Sequence, residues 1–154
     1  MNDSNNLVKI LFRFYSDLLD KETAETMWAE VIDESKGLYK IDNIPFYAPL
    51  LASDDIVFAE YDEDEQMLTY QNTVEYSENS TVWVVIMDKT IQIEDVRKAF
   101  TDMGCISEKL SDGYFAMEIP KEINYKPIRQ KLEELEKSDI IGYSEPSLSN
   151  KHQY

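Results

Sequence analysis

The sequence is short of the residues from which most catalytic and metal sites are built. Of 154 residues, one is cysteine and one is histidine. A single thiol, Cys105, forms no internal disulfide, so a reducing cytoplasm is the expected setting. Structural zinc draws on several Cys or His ligands, and no such cluster is present. The lone His152 stands in a polar stretch that reads as a frayed tail, whereas a Ser-His or Cys-His arrangement needs a held imidazole. Four glycines, well apart, make no phosphate-cradling loop. No apolar run approaches the roughly 18 residues that cross a bilayer. Residues 1–6 carry neither the positive nor the apolar segment of a secretory signal. No cofactor, no metal and no catalytic residue is expected on these grounds.

Cations are also scarce, and unevenly so. Residues 1–78 hold 18 Asp and Glu against 5 Lys and Arg, a net charge of −13 out of the chain's −16. Such a surface repels phosphate backbones and anionic membranes, so no nucleic acid and no membrane is expected as partner. A basic protein is attracted instead, and meets it faster at low salt. The competing reading is that the acidity only maintains solubility.

What is present reads as α+β in two parts. Residues 7–15 alternate, with Val8, Ile10, Phe12 and Phe14 on one side, as in a half-buried strand. Residues 16–25 read as a loop with a helical turn, the alternative being a short helix capped by Ser16 or Asp17, and residues 26–33 as a second strand with Met27, Ala29 and Val31 on one face. Trp28, opposite, reads as a packing residue or, less simply, a ligand platform. A turn at residues 34–37 uses Gly37 for positive φ. A short strand at 38–41 leads to Asp42 and Asn43, read as a local Asx turn. Pro45 and Pro49 keep the next stretch from pairing. Strands at 56–61 and 67–76 flank a hairpin turn holding Asp62, Glu63, Asp64 and Glu65. Five short strands predict a small curled β-sheet or barrel over residues 1–78.

Residues 79–148 have another rhythm. An apolar run at 81–87 predicts a central strand. A helix follows, with Ile93, Val96, Phe100 and Met103 on one stripe and Gly104 at its end. Strands at 106–110 and 114–119 flank an SDG turn. Asn124 caps a second helix over 125–137, and a last strand spans 140–143. The order β-α-β-β-α-β predicts a ferredoxin-like unit. Residues 149–154 complete the polar tail.

Certain stretches resemble a bacterial family catalogued as domain of unknown function 4265. They are Trp28-Ala29-Glu30, then Tyr39-Lys40-Ile41-Asp42-Asn43-Ile44-Pro45-Phe46, then Asp55-Ile56-Val57-Phe58-Ala59-Glu60. Ser80-Thr81-Val82-Trp83-Val84 and Met103-Gly104-Cys105 follow. The resemblance covers roughly residues 7–148. It carries no established activity. Small solitary bacterial domains of this kind can serve as immunity proteins, an expectation by analogy.

The remaining chemistry is thin. The four consecutive carboxylates at 62–65 lack the spacing and glycine of a calcium loop and read as a solvated turn or a protein-facing knob. Cys105 reads as a small buried residue. No two of the many acids are marked as a glycosidase pair. Trp83 and Phe115 are the aromatics that an RNA-reading sheet would expose, but their surroundings are not basic. The sequence therefore supports a non-enzymatic protein-binding domain, an immunity protein neutralising a basic toxin. Its docking residues would be Asp42, Asn43, Phe46, Tyr47, Asp54, Asp55, Tyr61, Asp62, Glu63, Asp64 and Glu65. The alternative is a small-molecule sensor with its ligand between the two halves.

Overall fold

A computed structural model describes residues 7–17 and 19–154. The polar start expected at residues 1–6 lies outside them. The chain is α+β and divides into two compact units, residues 1–77 and 78–154. Among the described residues the first carries a closed five-stranded barrel and the second a four-stranded sheet with two α-helices.

The barrel is built from β1 (Leu7–Ser16), β2 (Lys21–Asp33), β3 (Leu38–Ile41), β4 (Ile56–Asp62) and β5 (Met67–Glu75). Neighbours along the chain pair antiparallel, and β5 closes on β1 in parallel, with Ile10 opposite Leu68 and Leu11 opposite Thr69. Closure removes the unpaired strand edges that would otherwise invite aggregation. The alternation seen in the sequence sends Ile10, Phe12, Met27, Ala29, Tyr39, Ile41, Val57 and Ala59 inward to one core. Phe12 stacks on Tyr70 with ring centroids 5.0 Å apart.

One stretch differs from its sequence reading. Residues 21–25 are not a loop but the first half of β2, paired with β1 from Ser16–Lys21 to Phe12–Glu25. The segment KETAE has no large apolar residue, so its strand state comes from the ladder with β1 and not from local pattern. At the next corner, residues 34–36 form one 3-10 turn capped by Asp33 and closed by Gly37 at φ 71°. A Cβ on Gly37 would lie 2.8 Å from Phe58 Cε1 and 2.9 Å from the Ala59 carbonyl oxygen.

The second unit runs β6 (Ser80–Ile86), α1 (Ile93–Thr101), β7 (Ile106–Ser111), β8 (Tyr114–Ile119), α2 (Tyr125–Lys137) and β9 (Ile141–Ser147). Its sheet has the order β7-β8-β6-β9, and each adjacent pair is antiparallel. Ile93, Val96 and Phe100 of α1 and Tyr125, Ile128 and Leu132 of α2 share a core with Val82, Val84, Ile86, Phe115, Met117 and Ile119. Phe115 is thus fully buried on the helix-facing side and cannot stack on a base, in line with setting aside an RNA-reading sheet. Asn124 caps α2 as expected, accepting from the Lys126 N–H at 3.1 Å.

The C-terminal stretch also departs from expectation. β9 continues past Tyr143 to Ser147, because as an edge strand it needs only backbone pairing with β6. Beyond it, residues 150–152 form a further 3-10 turn, and His152 is only 2 % exposed. The tail is docked, not frayed.

Candidate functional site

The long connection between β3 and β4 carries six of the eleven residues that sequence reasoning assigned to docking. Two carboxylates hold it in place. Glu25 of β2 accepts the backbone N–H groups of Phe46 at 2.8 Å, Tyr47 at 3.0 Å and Ala48 at 2.8 Å. Asp55 accepts from Ala52 N–H at 3.0 Å and Ser77 N–H at 2.8 Å. These bonds satisfy backbone donors that an irregular loop cannot satisfy by itself.

Asp55 is 1 % exposed. Burial raises its pKa, opposed by the N–H bonds from Ser77 and Ala52. It is therefore a folding residue and not a docking carboxylate, a correction to the sequence reading. Asn43 is also engaged: its Oδ1 accepts from the Trp28 N–H across to β2, so the expected local Asx turn is replaced by a tie to the neighbouring strand. Phe46 and Tyr47 are half-buried, and Asp42 and Asp54 are exposed. Asp42 donates its backbone N–H to the Trp28 carbonyl and Asp54 to the Ile41 carbonyl, which brings the two together beside the start of β4.

The other acids lie at the far end of that strand. Asp55 precedes the seven-residue strand β4 and Asp62 ends it, a separation of roughly 20 Å at the rise of an extended chain. The expected single acidic face is therefore two patches. At the hairpin tip, Asp62 Oδ1 accepts from Asp64 N–H at 2.9 Å and Glu65 N–H at 3.3 Å, which shapes the turn. Glu65 pairs with Arg13. Glu63 and Asp64 are exposed, and their side chains make no hydrogen bond or ion pair among the described residues. Tyr61, 61 % exposed, stands next to them.

Compensating cations are few here. Of the unit's five, Arg13 is taken by Glu65 and Lys36 by Asp33. Lys9 lies over the Trp28 ring, 5.2 Å from its centroid. Trp28 itself is 46 % exposed.

Sequence reasoning missed Glu25 and His152. Glu25 carries no sequence signal, since one Glu among many looks like a surface acid. His152 was legible only as the chain's lone imidazole. Its Nε2 lies 3.1 Å from both the Pro120 and Ile123 carbonyl oxygens, and its Nδ1 is 2.6 Å from Ser80 Oγ. The carbonyls can only accept, so Nε2 carries the proton and Nδ1 accepts from the serine hydroxyl. Burial lowers the His152 pKa, opposed by the two carbonyls. Both ring nitrogens are used, and Ser80 is fully buried, so the pair is a structural lock. Cys105 is likewise buried, with its thiol pushed up to about 12, first by burial and then by Glu118. No group of three metal-ligating side chains occurs among the described residues. No helix among them is long and apolar enough to cross a membrane.

These features define a two-unit α+β protein in which an acid-rich barrel precedes a helix-covered sheet. The chain belongs to the family described as a domain of unknown function (DUF4265), whose profile matches residues 25–143. It is similar to a hypothetical protein from Neisseria gonorrhoeae known from a crystal structure. That similarity has 26% identity and a TM-score of 0.78, and it covers 92% of this chain and 94% of the other. No curated protein matches the chain.

Proposed function

We propose that this protein is a non-enzymatic docking module whose acidic barrel receives a basic protein partner. The observation that carries the reading is the β4–β5 hairpin tip. Glu63 and Asp64 are exposed there with no ion-pair partner among the described residues, and exposed Tyr61 precedes them on the end of β4. An aromatic anchor flanked by uncompensated charge is the arrangement that supports a hot spot with fast, salt-dependent association. Asp42 and Asp54 offer a second patch. At physiological salt the screening length is about 8 Å, so two patches roughly 20 Å apart act as separate contacts, and a partner that engages both must span β4.

An immunity protein that covers the cationic active site of a toxin fits this chemistry, and a cytoplasmic setting belongs to the same proposal. The second unit, with strand order β7-β8-β6-β9 and the element order β-α-β-β-α-β, is read here as ferredoxin-like.

The test is charge reversal at positions that do no folding work. Glu63→Lys and Asp64→Lys are combined, leaving Asp62, which shapes the turn, and Glu65, which pairs with Arg13, intact. Proteins captured from the source cell at low salt should be lost both at high salt and by the reversed variant. A captured toxin domain should lose its toxicity when co-expressed with the wild-type protein. Undiminished capture by the reversed variant at low salt removes the proposal.

A further inference from the structure

The second unit contains a region whose charge runs against the rest of the chain. A cavity of about 550 Å³ lies between the first turns of α2 and the docked C-terminal segment. Its charged lining is Lys126, Arg129, Lys151 and Glu133, and Glu145 accepts from the hydroxyls of the lining Tyr125 and Tyr154, so three cations meet two carboxylates in a chain of net charge −16. Lys126 and Lys151 are exposed and have no ion-pair partner among the described residues. Arg129 is held in place. Its Nη1 lies 2.9 Å from Glu133 Oε1. Its guanidinium carbon stands 3.6 Å from the centroid of the Tyr154 ring. The Tyr154 hydroxyl donates to Glu145 at 2.7 Å, and the His152 lock fixes the same segment. The guanidinium is therefore oriented before any ligand arrives, and its Nε is buried without a hydrogen-bond partner.

We propose that this cavity binds a small phosphate monoester. Glu133 takes up Arg129 and Glu145 holds the two tyrosine hydroxyls, so the lining cations left unpaired among the described residues are Lys126 and Lys151, and their two charges complement a phosphoryl group carrying about −1.5 to −2. With Nη1 on Glu133 and Nε buried, Arg129 is left with Nη2 to donate, and the lysines supply mobile point charges, a combination suited to phosphoryl oxygens. The volume falls within the roughly 300–1,000 Å³ of small-molecule sites and far exceeds a bare phosphate, so an organic body accompanies the anion. Tyr154, which is 73 % exposed, supplies apolar surface for that body. The site is independent of the acidic docking patches, and either proposal can fail without the other.

The test is isothermal titration of the full chain with ribose 5-phosphate and adenosine monophosphate at about 0.15 M salt. Ribose and adenosine serve as uncharged counterparts and succinate as a dicarboxylate. At least one phosphate monoester should bind saturably with one-to-one stoichiometry, while its uncharged counterpart does not. Arg129→Met should weaken binding by about tenfold or more. The combined Lys126→Gln and Lys151→Gln variant should do the same, and because it alters only exposed positions it keeps the test open if Arg129→Met fails to fold. No saturable binding by about 10 mM ligand overturns the proposal. So does binding that the lysine variant leaves undiminished, and so does succinate binding as tightly as the phosphates.

Discussion

Glu25 is expected to govern the loop that presents Phe46 and Tyr47. One oxygen accepts from Tyr47 and Ala48, the other from Phe46. Glu25→Gln keeps the shape but can offer only one acceptor oxygen. With that oxygen facing the two-donor side, the amide NH2 faces the Phe46 N–H, and one bond becomes a donor–donor contact. A hydrogen bond to a charged group contributes about 1.5–3 kcal/mol, and an unsatisfied buried donor costs about 1–3 kcal/mol. The site is part-buried, so water recovers some of this loss. The Gln variant should therefore lose about 1–2 kcal/mol of unfolding free energy, and Glu25→Ala about 2–4 kcal/mol. Denaturant melts give these values. Amide hydrogen exchange gives the location: Phe46, Tyr47 and Ala48 should lose protection in the Ala variant while the core strands keep theirs. An Ala variant within about 0.5 kcal/mol of wild type, or one whose three amides remain protected, refutes the idea that this carboxylate holds the loop.

Two further outcomes follow from the same reasoning. Gly37→Ala places a Cβ at 2.8 Å from Phe58 Cε1 and 2.9 Å from a carbonyl oxygen in a left-handed backbone, and should cost about 1–3 kcal/mol in a denaturant melt; a neutral substitution would show that the β2–β3 corner relaxes freely. Because the folded-state pKa of His152 is lowered from 6.5, the unfolded chain binds more protons between the two values. Its contribution is thus complete above pH 6.5 and lost as pH falls towards the folded value. Melts between pH 7.5 and pH 5 should diverge from those of His152→Gln, and parallel curves would sink this account.

The sequence was most legible where burial on one face imposed a period. β1 has Ile10 and Phe12 inward and charged Lys9 and Arg13 outward, and α2 repeats Tyr125, Ile128 and Leu132 on one stripe. It was least legible where pairing alone decides the backbone. Residues 21–25 and 144–147 are strand because β1 and β6 lie alongside, and neither stretch contains a large apolar residue. The candidate site was legible as composition but not as placement. Nothing local distinguishes Asp55, turned inward to two backbone N–H groups, from Asp54, which is exposed.

That difference between composition and placement bears on how the acidic surplus acts. A carboxylate that accepts backbone N–H bonds keeps its charge while ionised, so Glu25 and Asp62 still contribute to the long-range field. Steering of a cationic partner depends on the summed field and is weakened by salt. Docking depends instead on which carboxylates can be touched. Few remain uncommitted at the hairpin tip once Asp62 shapes the turn and Glu65 pairs with Arg13. The two contributions separate kinetically, since altering a charge at the edge of an interface changes the association rate, while removing a buried anchor changes dissociation. On this account Glu63 and Asp64 set how quickly a basic partner arrives, and Tyr61 sets how long it stays.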